Sequence, residues 1–199
     1  MALGATLYLG RHAMQAEIDA WRGAAPTAAV PAEAAPLHAL QPRGIGDHLP
    51  DFRLTALDGS YLEAAHYQGR LLLVNFWATW CDPCRSELPL LQRLWDRHQN
   101  DGLMVIAPAM DDPAAVRRFA EQFAISFTVA IGGEDIELTN FALGNTDGVL
   151  PYSVLVAPDG MIVERHIGQL SQATLDRWIA DYLPAVGDQD AGGEKLARR

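Results

Sequence analysis

Between residues 51 and 184 the hydrophobic positions switch repeatedly between two rhythms. Leu71 to Trp77 (LLLVNFW) is a continuous apolar run, the signature of a strand covered on both faces. From Pro83 to His98 the spacing becomes helical, with Leu88, Leu91, Leu94 and Trp95 on one stripe. Pro89 falls inside that helix and is expected to kink it. Leu103 to Ala107 (LMVIA) predicts a second buried strand. Asp112 then caps a helix that has Pro113 at its first position. Its stripe is Val116, Phe119, Ala120 and Phe123, at i, i+3, i+4 and i+7. Phe127 to Ile131 predicts a strand and Glu134 to Leu143 a helix. Two further strands, Tyr152 to Ala157 and Met161 to Ile167, are joined by Pro158-Asp159-Gly160, a hairpin turn signal. A last helix, Ser171 to Leu183, buries Leu175, Trp178, Ile179, Tyr182 and Leu183. The order β-α-β-α-β-α-β-β-α predicts an α/β fold, parallel in its first part and closing on an antiparallel hairpin.

The flanks lack these rhythms. Residues 1–21 begin with the apolar stretch MALGATLYLG, followed by Arg11 and His12. Ten residues are too few to cross a bilayer, and no basic residue precedes them as a secretory signal would require. Two readings stand: an ordinary helix from Leu3 to Trp21, or the end of a membrane anchor. The second is preferred because of the resemblance described below. Residues 22–47 are rich in Ala and Pro without hydrophobic period, which predicts a semi-extended linker. Residues 185–199 read as a loose tail. The folded unit is expected at 48–184.

Composition narrows the function classes. The 199 residues are 49% hydrophobic and 20% charged, as in ordinary globular proteins. The net charge is −10. From Asp51 to Pro184 there are nine arginines, no lysine and eighteen carboxylates. A nucleic-acid partner is excluded on this ground, since phosphate binding needs a basic face. No GxGxxG, Walker A, GxSxG or HExxH signature is present.

The two cysteines form one motif, Trp80-Cys81-Asp82-Pro83-Cys84, where the LLLVNFW strand meets the following helix. Cys81 falls at the helix N-terminus, where unpaired amides and the helix dipole favour an anion. A thiolate there has a lowered pKa and is nucleophilic near neutral pH. Cys84 lies one turn deeper and can attack a mixed disulfide formed on Cys81, giving a reversible two-electron switch. Pro83 suits the first turn because it needs no N–H acceptor. Three plainer readings compete. A structural zinc site needs four ligands, and the six histidines show no ligand spacing. The thiols could be incidental. A structural staple closing so small a loop removes little chain entropy. Redox chemistry is the reading preferred, with no cofactor and no metal.

The segment NFWATWCDPCRSELP resembles the active site of the thioredoxin superfamily, and is most similar to the TlpA/ResA-like thiol–disulfide oxidoreductases of the bacterial envelope. The resemblance spans about residues 50–183. It includes Pro50-Asp51-Phe52, the hairpin Leu57-Asp58-Gly59-Ser60-Tyr61-Leu62 and Gly148-Val149-Leu150-Pro151. It implies a thioredoxin fold with an N-terminal β-hairpin and an inserted strand–helix unit, which Phe127–Leu143 fits. It implies Cys81 as attacking thiol, Cys84 as resolving thiol and a reversible Cys81–Cys84 disulfide. Pro151 would be the cis-proline, with the backbone around Leu150 pairing an extended substrate segment. Asn75 stands where cytosolic thioredoxins carry a buried Asp, so the proton of Cys84 needs another acceptor. Glu87, three residues on, is the candidate; its plainer reading is a solvated surface carboxylate. Trp77 reads as core. Trp80 would form an apolar rim for substrate.

The function expected is a disulfide reductase acting on protein substrates in the periplasm, such as those of cytochrome c maturation or metal-site assembly, fed by a membrane thiol donor. Reduction is favoured because strong oxidants tend to place a His, here absent, between their cysteines. Two alternatives compete with this reading. A peroxiredoxin-like peroxidase would want a Thr three residues before the reactive Cys, whereas Thr79 is two before. A Cu(I) chaperone could use the two soft thiolates, but no Met-rich or His-rich companion site accompanies them.

Overall fold

The computed structural model describes residues 41–183. The expectations for residues 1–21, for most of the linker and for the tail lie outside the described residues. The described residues form seven strands and four helices: from Leu71 onward they follow the order the patterning predicts, and the two strands before it are the N-terminal hairpin that the resemblance implies. They are β1 (Arg53–Ala56), β2 (Tyr61–Glu63), β3 (Leu71–Phe76), α1 (Asp82–His98), β4 (Leu103–Pro108), α2 (Pro113–Gln122), β5 (Thr128–Ile131), α3 (Glu134–Ala142), β6 (Tyr152–Val156), β7 (Ile162–Ile167) and α4 (Gln172–Tyr182). A short 3-10 turn, Ala64–Tyr67, was not foreseen.

The strands form one sheet in the order β2-β1-β5-β4-β3-β6-β7. Pairs β3/β4 and β4/β5 are parallel, and the other pairs are antiparallel. Strand β3 lies inside the sheet with all six residues buried, which explains its unbroken apolar sequence. Its side chains alternate between two cores. Leu71 and Leu73 join Leu88, Leu91 and Leu94 of α1, Phe119 of α2 and Trp178 of α4. Leu72, Val74 and Phe76 join Leu54 of β1, Tyr67, and Ile136 of α3.

Local signals set the turns and caps. Asp58 accepts hydrogen bonds from the amide and hydroxyl of Ser60 and closes the first hairpin. Asp112 accepts from the amides of Ala114 and Ala115 and starts α2.

The end of the expected linker behaves differently from its composition. Arg43 N–H donates to the Ala142 carbonyl at 2.8 Å, Gly46 N–H to Ile162 at 2.9 Å, and Ile162 N–H returns to Asp47 at 2.8 Å. His48 also bridges to Met161. Among the described residues, contact with the domain thus reaches back from residue 48 to Arg43. Backbone hydrogen bonds hold this segment, and an Ala/Pro-rich composition does not report them.

Gly144 sits under this attachment with φ +92°. A Cβ there would collide with the Arg165 guanidinium and the Arg43 carbonyl. Gly144→Ala should lower stability by at least about 1–2 kcal/mol from the left-handed backbone alone. The urea midpoint would show it, and an unchanged midpoint would refute the account.

Candidate active site

Strand β3 delivers the chain to the surface at Cys81. The N-terminal cap of α1 is Cys81 itself, with Asp82 and Pro83 in the first turn. Its sulfur accepts the Cys84 amide at 3.3 Å, one of the amides that no helical carbonyl can satisfy. The two cysteines are joined as a disulfide with their Cα atoms 5.3 Å apart. Cys81 is 6% exposed and Cys84 is 0% exposed, so only the first reaches the surface. Asp82 is exposed and lies 3.7 Å from the Arg85 guanidinium. Its field on the thiols is correspondingly weak.

Two tryptophans near the pair divide as expected. Trp77 is buried, donates its indole N–H to the Ala107 carbonyl at 3.2 Å and packs on Phe119. Trp80 is 68% exposed, a large apolar surface beside Cys81.

Antiparallel pairing sets Phe76 of β3 opposite Tyr152 of β6. Continuing that register by one step places Pro151 across from Trp77, at the same end of the sheet as the dithiol. The Leu150–Pro151 peptide is cis.

Glu87 does not lie on the surface. It is 0% exposed on α1, one turn beyond Cys84. One carboxylate oxygen accepts from the Asn75 side-chain amide of β3 at 2.7 Å. The other accepts the Leu170 amide at 2.6 Å. Burial pushes its pKa up to about 7, while the bonds from Leu170 and Asn75 hold it back. Asn75 also donates to the Ser153 hydroxyl at 3.0 Å. The Asn75 side-chain oxygen is buried with no hydrogen-bond partner among the described residues. The cluster thus offers two N–H donors to an ionised Glu87.

The sequence reading missed Asp111. This carboxylate follows β4 and accepts from both the amide and the hydroxyl of Thr79, and from the Asp112 amide at 2.7 Å. Desolvation opposes its charge, but the bonds from Thr79 and Asp112 hold its pKa below the usual value. It fixes the loop that leads into Cys81. The only sequence signal was the doublet Asp111-Asp112, of which the second was read as a cap. No group of three or more His, Cys, Asp or Glu side chains arranged to hold a metal ion occurs among the described residues.

What this arrangement can do is exchange disulfides: a helix-capping sulfur at the surface, a partner sulfur beneath it and a titratable acid one turn further in. Comparison with known proteins agrees. The AhpC/TSA family matches residues 45–165. The thiol-disulfide oxidoreductase ResA of Bacillus thuringiensis (strain Al Hakam) is 32% identical over 141 residues, covering 70% of this chain and 79% of the relative. ResA of Geobacillus kaustophilus is 29% identical over the same shares. Among solved structures, a putative thiol:disulfide interchange protein DsbE from Chlorobium tepidum aligns with a TM-score of 0.62 at 26% identity, covering 71% of this chain and 99% of that one. The chain belongs to the AhpC/TSA family and is a thiol–disulfide oxidoreductase with a thioredoxin fold.

Proposed function

We propose that this protein is a reductase of disulfides in protein substrates, working in the bacterial envelope with electrons from a membrane thiol donor. The observation that carries the chemical part is the buried Glu87 one turn below the buried Cys84. The location is supported by the similarity to ResA and DsbE proteins, and by the apolar start of the chain. No described helix is long and apolar enough to cross a membrane; the anchoring proposed here concerns residues 1–21.

The proposed exchange runs in two steps. Reduced Cys81, a thiolate at the helix N-terminus, attacks one sulfur of the substrate disulfide. The substrate S–S bond breaks, one substrate thiolate leaves and a mixed disulfide forms. Cys84 loses its proton to Glu87 and attacks the Cys81 sulfur. The second substrate thiolate leaves, the Cys81–Cys84 disulfide closes, and two electrons have passed to the substrate. The thiol donor then restores the pair by the reverse exchange. Trp80, Leu150 and Pro151 form the surface against which the substrate lies. The peroxidase alternative is weakened by Thr79, whose hydroxyl is bonded to Asp111. A Cu(I) chaperone finds no further soft ligand in the described cluster.

The reduction potential of the pair should fall near or below about −220 mV in thiol-buffer titration. A value near about −120 mV would make the protein an oxidant and defeat the reductase reading. Cys81→Ser should abolish turnover.

Glu87 gives a second expectation with a definite sign. Its folded pKa is raised from 4.5 to about 7, so the folded state binds more protons than the unfolded state between those values. Its contribution to stability is then present below pH 4.5 and is lost as pH rises to about 7. Glu87→Gln removes the cost of burying a charge, while its NH2 takes the place of one of the two oxygens that accept from Asn75 and Leu170. The variant should be more stable than the parent at pH 8, by up to about 3 kcal/mol, with the difference vanishing toward pH 4.5. Its resolution of mixed disulfide should slow by about 100-fold or more. Equal resolution rates in stopped-flow would remove Glu87 from the proton path.

A further inference from the structure

The loop that ends in the cis-proline contains a buried side chain that the exchange chemistry does not use. Asn145 is 5% exposed, and every polar atom of its amide is engaged. Its oxygen accepts the Val149 N–H at 3.1 Å. Its nitrogen donates to the Val149 carbonyl at 2.8 Å and to the Asn140 side-chain oxygen at 3.0 Å. Both main-chain groups of Val149 are therefore occupied by one side chain, although Val149 itself is 42% exposed. The next residue is the reverse. Neither the amide nor the carbonyl of Leu150 has a hydrogen-bond partner among the described residues. From Pro151 onward the main chain is committed again: its carbonyl accepts the Gly168 amide, and Tyr152 begins the pairing of β6 with β3 and β7.

The clamp is braced from the dithiol side. Asn140 donates to the Met110 sulfur at 3.4 Å, and the Met110 amide donates to the Trp77 carbonyl at 2.8 Å. Hydrogen bonds joined through the Met110 side chain thus link the segment leading into Cys81, by way of two buried amides, to the residue before Leu150. Networks of this kind hold a geometry because each member is satisfied only in that arrangement.

We propose that Asn145 is a positioning and specificity residue: by occupying both main-chain groups of Val149 it leaves Leu150 as the single point of strand pairing, and so fixes the register in which an extended polypeptide lies across Cys81. A strand slipped by one residue would turn its cysteine to the opposite face, away from the nucleophile. The ligand class is an unfolded protein segment carrying a cysteine in a disulfide. Small disulfides have no strand to align. This inference rests on Cys81 as the attacking thiol and on protein substrates.

The test uses the full chain as the reduced Cys84→Ser variant. Its Cys81 thiolate attacks a short unstructured peptide whose one cysteine is activated as a thionitrobenzoate disulfide. The peptide–thionitrobenzoate bond breaks, coloured thionitrobenzoate leaves, and a Cys81–peptide disulfide remains because no resolving thiol exists. Amide exchange is then read by NMR. Before coupling, Val149 should exchange at least about tenfold more slowly than Leu150. After coupling, Leu150 should slow by about tenfold or more while Val149 stays as it was, and only one peptide register should give protein–peptide contacts. Gain of protection at β2 or β7 in place of Leu150, or several coexisting registers, overturns the proposal. In otherwise wild-type protein, Asn145→Ala should lower kcat/KM for a protein disulfide about tenfold relative to kcat/KM for glutathione disulfide, through KM. An equal fall for both substrates would mark Asn145 as merely structural and overturn it. If Asn145→Ala does not fold, the exchange data on the Asn145-containing protein decide alone. If no thionitrobenzoate is released, or wild-type protein shows no preference for protein disulfides over glutathione disulfide, the underlying reading fails and the inference with it.

Discussion

A strand with both faces covered has no surface of its own, so its residues can be reached only where it ends. Strand β3 is in that position: helices cover one face, the turn around Tyr67 and α3 the other, and neighbours lie on both edges. The chain leaves the core at Trp77 and starts a helix within five residues. Those constraints, with the turn at Tyr67 and α3 covering the second face, put a helix N-terminus, with its unpaired amides, at the mouth of an apolar interior. Cys81 lies at the mouth and Cys84 inside it. The difference in exposure between two residues three apart in sequence follows from that placement, and gives two identical side chains different environments.

The same interior decides the state of Glu87. A carboxylate this deep is kept by hydrogen bonds from β3 and from the segment before α4, which ties the active-site helix to two distant parts of the chain. Burial and donation act in opposite directions on its proton affinity, and the balance lies near neutral pH. A fully paired carboxylate would stay ionised, and an unpaired one would stay protonated. Glu87 lies between these limits, with desolvation on one side and two donors on the other.

Most elements were legible in the sequence because apolar period and turn chemistry agreed along the chain. Strand β3, helix α1 and the Pro158-Asp159-Gly160 turn fall within a residue or two of expectation. The thiol pair was legible because its spacing and its strand–helix junction carry the chemistry locally. Glu87 was legible as a candidate but not as a buried group: it adjoins the Leu88 stripe, and its burial depends on Leu170, 83 residues away. Asp111 and Asn145 escaped notice for a related reason. Each is a small polar residue in a loop, and its significance lies in which backbone groups it meets across the fold. The attachment of residues 43–49 was hidden likewise, since main-chain pairing leaves no mark on composition.

The margins of the sheet bear on how the protein meets other polypeptides. An open sheet has two outer strands whose unpaired amides and carbonyls attract any extended polypeptide. Here one outer strand, β2, is three residues long and carries the Arg53–Glu63 ion pair against its neighbour. The other, β7, is shielded at its start by Gly46–His48 and continues through Glu164, Arg165 and His166. A thiol–disulfide oxidoreductase built this way is protected at its margins: its flanks resist the sheet extension that leads to aggregation.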